Sequence, residues 1–407
     1  MRQEAGAAYF AWGIEKDFGR MNKVANERQS RTRPAALLDF GLKIVAPTLG
    51  AMLGLFTVPG ASAQEAIRDG RALYSSACAS CHGDDGRGRT VAQVGFDLPL
   101  PDFSDCAFAS REPNGDWFAV IHEGGPRRAF NRMMPAFGDA LAAEDIDAIL
   151  DHIRTFCISD AWPRGEFNFP KGLYTEKAFP EDEAVWRTNF AAEGRSEIES
   201  EFTYEKRFGA RGQLEVTVPF LRADLGPGQG AQAGIGDVEL AWKQTVLADL
   251  NSGTIVSLGG AAILPTGDES KGFGSGSVAL EPFVLFGQVL PDDAFIQGQV
   301  FAGFPLSSGL NDELGWRAAV GKTWAVENGF GRSWTPMVEF LGARELVSGA
   351  ETEWDIVPQL QVSLSQRQHV LFNAGARIPL DDPSRDTQFV FYIIWDWYDG
   401  GLWEGWR

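Results

Sequence analysis

The stretch Cys78-Ala79-Ser80-Cys81-His82 is the part of this chain best equipped for chemistry. Two thiols three residues apart share one helical turn, so both sulfurs can reach the two vinyl groups on one side of a porphyrin. The adjacent histidine is then held against the iron by covalent bonds as well as by coordination. The spacing predicts one covalently bound haem c, with Cys78 and Cys81 as thioether anchors and His82 as an axial ligand. Zinc is the alternative, but it needs a fourth ligand of similar kind at short spacing, and the flanking sequence offers none.

The partner across the iron should be a methionine, a histidine or nothing. Asn131-Arg132-Met133-Met134-Pro135-Ala136-Phe137 lies about 50 residues beyond His82. A thioether is a soft neutral donor that favours ferrous iron and raises the reduction potential. Pro135 pushes its predecessor towards extended backbone, which suits a side chain projecting from a loop and favours Met134 over Met133. His122 and His152 are rival ligands better read as surface or packing residues. Arg127 and Arg128 either meet haem propionates or form a solvated face.

Two elements must hold these groups. Residues 64–77 read as a helix carrying Ile67, Leu73 and Tyr74, with Gly83, Gly86 and Gly88 ending it just past His82. Residues 142–156 read as a second, amphipathic helix, because Ile146, Ile149, Leu150, Ile153 and Phe156 recur at helical spacing. With its attachment site, its Met-Pro-Ala-Phe loop and both helices, residues 64–157 resemble a class I cytochrome c. That resemblance implies an all-α domain whose functional residues are Cys78, Cys81, His82 and Met134. Two of the four cysteines then remain, Cys106 and Cys157. In an oxidising compartment a disulfide between them is natural, and it closes a loop containing Met134. Chain entropy gives such a bridge roughly 4 kcal/mol.

Haem attachment of this kind implies export. Arg31, Arg33 and Lys43 precede a short apolar stretch over 44–60 that ends in Ala61-Ser62-Ala63, the pattern of a cleaved secretory signal over 1–63. Met21 is an alternative start. A transmembrane anchor is the competing reading, disfavoured by Pro47, Pro59 and several glycines. The full chain carries a formal charge of −19; after cleavage 28 basic and 50 acidic side chains leave −22. Such acidity argues against nucleic acid and against anionic membrane surfaces as partners. About 344 residues remain, too many for one small haem domain.

Beyond a Pro-rich linker (161–183), residues 184–407 alternate apolar and polar side chains in segments of 8 to 13 residues. Leu214, Val216, Val218 and Phe220 against Glu215 and Thr217 are one example; this is strand periodicity. Twelve segments begin near Val185, Glu197, Gln213, Asp237, Thr254, Ser277, Ala294, Leu314, Trp334, Glu353, His369 and Thr387. Tight connections such as 209–212 and 291–293 alternate with longer loops such as 222–236 and 266–276. An even strand count, short turns on one side and tryptophans near segment ends predict an antiparallel transmembrane β-barrel of about 12 strands. A soluble β-sandwich is the rival architecture. The pattern is similar to porin-like outer-membrane barrels of the phenol-degradation transporter type.

On this register Glu205, Arg207, Glu215, Glu239, Lys243, Glu281, Arg317, Glu339, Asp355 and Arg377 point inward, where mixed charges can pair and fill a narrow lumen. Twelve tilted strands give a backbone diameter of roughly 24 Å, against about 30 Å for a 90-residue domain. The haem domain (64–160) should therefore hang outside, at the periplasmic mouth. The leading expectation is a monohaem electron carrier, not an enzyme, held in outer-membrane lipid by its own barrel and serving periplasmic redox proteins. An outer-membrane channel for a small solute with an accessory cytochrome is the alternative; a redox-enzyme subunit is a third reading.

Overall fold

The computed structural model describes residues 68–157, 159–191, 197–224, 230–326 and 331–397. The expected leader, the first residues of the expected helix (64–67), Trp403 and Trp406 lie outside the described residues.

In the N-terminal unit, helices and 3-10 turns are the only regular elements described. Helix α1 (Gly70–Ala77) starts where the Asp69 carboxylate accepts the Ala72 N–H at 3.1 Å, a side-chain N-cap. It runs directly into the single turn α2 (Ala79–His82). Helix α3 (Asn114–Glu123) follows, and α4 (Ala143–Arg154) closes the unit. Ile146, Ile149, Leu150 and Ile153 of α4 are all buried, so the apolar stripe expected from their spacing is the packed face. Helix α1 crosses α4 at Gly70, where a Cβ atom would lie 2.0 Å from the Ala148 carbonyl oxygen. Only glycine permits so close a crossing. A disulfide joins Cys106 to Cys157, with Cα atoms 5.2 Å apart, and ties the start of the unit's second half to the end of α4.

The C-terminal unit is a closed, wholly antiparallel barrel. Its ring consists of β1 (Glu183–Ala191), β2 (Ile198–Phe208), β3 (Gly212–Asp224), β5 (Val238–Asp249), β6 (Thr254–Leu264), β7 (Ala279–Val289), β8 (Ala294–Pro305), β9 (Glu313–Lys322), β11 (Ser333–Glu345), β12 (Glu353–Ser363), β13 (Val370–Pro379) and β14 (Gln388–Asp396). Two short strands stand outside the ring: β4 (Ala231–Ile235) pairs only with β3, and β10 (Trp324–Ala325) extends β11. Closure comes from β1 against β14, with Glu183 opposite Asp396 and Ala191 opposite Gln388. All twelve expected segments are ring strands, each beginning within two residues of its expected position.

The ring's two faces exclude a soluble sandwich. Trp186, Phe202, Phe220, Leu240, Phe340 and Ile393 are among the many large apolar side chains exposed on the outer face. Glu205, Arg207, Lys243, Glu339, Asp355 and Arg377 are buried inside. Apolar outside and charged inside is the inverse of a water-soluble core, and it suits a wall whose solvent is hydrocarbon. The barrel spans a membrane.

The lumen is not filled by wall side chains alone. Residues 161–183, expected to be a linker, run into it, and 171–183 are buried at all but one position. Glu339 accepts the backbone N–H groups of Leu173 at 2.7 Å and Thr175 at 2.6 Å, together with that of Tyr174 and the Thr175 hydroxyl. Gln213 accepts the Glu181 N–H at 2.6 Å, while Gln297 and Lys243 donate to the carbonyls of Pro170 and Lys177, each at 2.8 Å. Lys177 pairs with Glu181 at 2.6 Å and with Glu183 at 3.1 Å. Irregular backbone at membrane depth requires protein partners for its polar groups, and the inward charges of the wall supply them. This segment is a plug.

Both the plug's entry and the N-terminal unit lie at the short-turn end of the barrel. Arg211, in the β2–β3 turn, donates to the carbonyls of Ala161 and Asp160 at 2.7 and 2.9 Å. Arg367, in the β12–β13 turn, lies over the Phe130 ring at 4.4 Å. His369 meets Glu112 at 3.3 Å, and Arg111 meets Asp182 at 3.4 Å. The unit is docked outside the barrel rather than suspended from it.

Candidate functional site

Cys78 is the junction residue between α1 and α2. Its N–H donates to the Tyr74 carbonyl at 2.8 Å, and its own carbonyl accepts from Cys81 at 3.1 Å and His82 at 2.9 Å. Gly83, at φ +76°, then turns the chain away. The loop returns over this turn: Gly88 N–H donates to His82 O and Arg89 N–H to Cys81 O, each at 2.8 Å. Both thiols are free, with Cys78 buried and Cys81 half-buried. Burial, and then the charge of Cys81, pushes the Cys78 thiol up to about 11. Burial thus favours the uncharged thiol form of Cys78 at neutral pH. Burial also lowers the His82 pKa, keeping the imidazole in the neutral form that coordinates a metal.

Met134 belongs to the same apolar cluster as Cys78, alongside Tyr74, Phe103 and Ile121. Its carbonyl accepts the Gly125 N–H at 3.0 Å. A Cβ on Gly125 would lie 2.4 Å from the Asn131 carbonyl oxygen and 3.1 Å from the Met134 Cβ, so a glycine is needed to bring this loop in. Met133, by contrast, is 47 % exposed. The fold thus places Cys78 and Met134 in one apolar cluster and leaves Met133 outside it. Two free thiols on one turn, a neutral imidazole beside them and a thioether in the same apolar cluster as Cys78 fit a haem.

The other histidines and arginines have structural partners. His152 packs edge-on against Tyr74 and Phe156, with ring centroids 5.2 and 5.1 Å away. His122 stacks on Phe118 and reaches Glu123 at 2.9 Å. Arg128 is buried against Asp116 at 3.0 Å, which removes it from any solvated face.

That pair adjoins the docking contacts and carries a pH dependence. Asp116 is pushed up to about 6, chiefly by burial and then by the charge of Glu112, while Arg128 and His369 oppose the shift. A carboxyl raised in the folded state adds stability that is complete below its ordinary value near 3.8 and is lost as pH rises through the folded value. The docked unit therefore loses at most about 3 kcal/mol between about pH 4 and 6. Thermal unfolding followed across that range should show this slope, and Asp116→Asn should flatten it. An equal slope in the variant would contradict the assignment.

Residues 65–153 match the family model for cytochrome C oxidase, cbb3-type, subunit III. They form a cytochrome c domain. No curated relative matches the chain. Among solved structures, the chain is similar to an outer membrane channel from Pseudomonas putida F1, at 12% identity and a TM-score of 0.38 over 55% of this chain and 98% of that one. It is also similar to the KdgM porin, at 11% identity and a TM-score of 0.35 over 53% of this chain and 98% of that one. The NanC porin is a further likeness, at 8% identity and a TM-score of 0.37 over 52% and 97%.

Sequence reasoning missed α3 and the plug. Trp117, Phe118 and Ile121 carry a faint helical spacing that could have suggested α3. The plug has no periodic signal at all.

Proposed function

We propose that the protein is a monohaem c-type cytochrome that transfers electrons in the periplasm and is anchored in the outer membrane by its own barrel. The carrying observation is that Cys78 and Met134 belong to one apolar cluster, with His82 on the turn that Cys78 begins, in a domain docked outside the barrel. Cys78 and Cys81 would anchor the haem covalently and His82 and Met134 would bind its iron, within a class I cytochrome c fold. A haem so held supplies a one-electron ferrous–ferric couple with a raised potential. The chain's own part is to exclude water through the α1–α4 crossing, to present a neutral imidazole, and to hold the thioether loop through Gly125. With His82 and Met134 both serving as iron ligands, electron transfer rather than catalysis would be the fitting role. The short-turn end, where the domain docks, is the periplasmic end of such barrels, so the natural partners are periplasmic redox proteins.

The channel reading has one observation in its favour. A small cavity of about 30 Å³ remains between the plug and the wall, lined by Glu176, Glu215, Glu239, Glu281 and Lys243 among others. The plug obstructs the rest of the lumen, so electron transfer is preferred.

Absorption spectroscopy of a Met134→Ala variant tests the ligand set. The ferric protein should lose the weak long-wavelength band of thioether-ligated haem, and its reduction potential should fall; Met133→Ala should change neither. Retention of the band in Met134→Ala would show that another group binds the iron.

A further inference from the structure

The orientation of a ligating imidazole is usually set by a hydrogen bond from its second ring nitrogen. His82 lacks that support: its Nδ1 is buried and has no hydrogen-bond partner. The ring instead lies on Phe103, with centroids 5.1 Å apart and planes 28° apart. Phe103 is buried, and its N–H is fixed to the Gly86 carbonyl at 2.8 Å. Trp117 of α3 tilts against the other side of the column at 5.4 Å. Trp117 is in turn backed by Phe108 at 6.1 Å and covered by the Arg154 guanidinium at 3.9 Å. That guanidinium is held by Asn114 Oδ1 and by the Glu112 carbonyl, both at 2.9 Å, and also donates to the Ala109 carbonyl. Every member is thus restrained by the next.

We infer that Phe103, backed by Trp117, is a positioning residue that sets the plane of the His82 imidazole relative to the iron. The inference rests on the haem reading above. Phe103 is not among the four residues that would hold the haem; it acts through His82, on which it stacks. The angle of the imidazole plane governs how the iron's d orbitals split, which the ferric low-spin electron paramagnetic resonance spectrum reads directly.

The test uses the full-length protein purified from membranes. Phe103→Leu keeps the apolar volume without the ring, and Phe103→Tyr keeps the ring. The leucine variant should retain bound haem and the thioether band yet show displaced g values and a shifted reduction potential. The tyrosine variant should restore both. Trp117→Leu should displace the g values in the same direction by a smaller amount. A leucine variant with haem bound and g values superimposable on the parent would overturn the inference while leaving the proposed function intact. So would a tyrosine variant that fails to restore them. A parent protein without haem would overturn both together.

Discussion

Planar-bilayer recordings of the purified protein should show a closed barrel, and deleting residues 168–181 should open it. The lumen is blocked by a chain segment whose backbone is satisfied from the wall. Glu339 on β11 makes the densest set of those bonds, accepting three consecutive backbone N–H groups and one hydroxyl from Leu173, Tyr174 and Thr175. It also accepts from Gln359. Glu339→Ala leaves the Tyr174 and Thr175 N–H groups and the Thr175 hydroxyl buried without that acceptor, at about 1–3 kcal/mol each, while Leu173 N–H keeps Gln359 Oε1 at 3.1 Å. A net loss of about 4 kcal/mol raises the population with the plug released by roughly 1,000-fold. The alanine variant should therefore flicker open, whereas the deletion conducts steadily. Gln213, Gln297 and Lys243 still hold the plug in the alanine variant, which is why its openings are brief. A deletion variant no more conductive than the parent would mean that wall side chains alone seal the pore.

Replacing both Cys78 and Cys81 by alanine should abolish covalent haem entirely, while the barrel still assembles. The two halves have separate cores: Tyr74, Ile146, Ile149 and Leu150 in one, and Leu173, Leu341, Val357 and Tyr392 in the other. No haem ligand proposed here belongs to the barrel. The double variant should give a membrane-inserted protein that does not stain for haem and whose mobility still changes on heating. Its cytochrome domain should be cut more readily by protease, because the pocket around Met134 and Phe137 loses its filling while the Cys106–Cys157 bridge keeps the fragments joined. Haem staining that survives the double substitution would refute attachment at this turn.

The features legible in the sequence were those written in local patterns. The cysteines and histidine lie within five consecutive residues, strand alternation repeats every second residue, and the isoleucines of α4 recur every third or fourth. Twelve ring strands could be placed within two residues because apolar and polar side chains alternate along most of them. The Cys106–Cys157 pairing followed from counting. The plug was hidden because its partners are remote: Thr175 and Glu339 are 164 positions apart. Its prolines and lysines, read alone, describe a solvated linker, and only a closed lumen turns them into a core. The inward charges were legible but not their role, since hydrogen bonds to backbone leave no trace in the pattern of either partner. The support of His82 was hidden for a similar reason, as Phe103 and Trp117 meet through a loop and a helix with weak local signals.

The account stands or falls on haem and barrel residing in one membrane-embedded chain. Cells with working haem-attachment machinery can be fractionated and the outer membrane run with and without heating, then stained for haem. A single haem-stained band should appear in that fraction and change mobility on heating, as an intact barrel unfolds only when hot. Haem staining confined to the soluble periplasm, or an outer-membrane band that takes no stain, would contradict it.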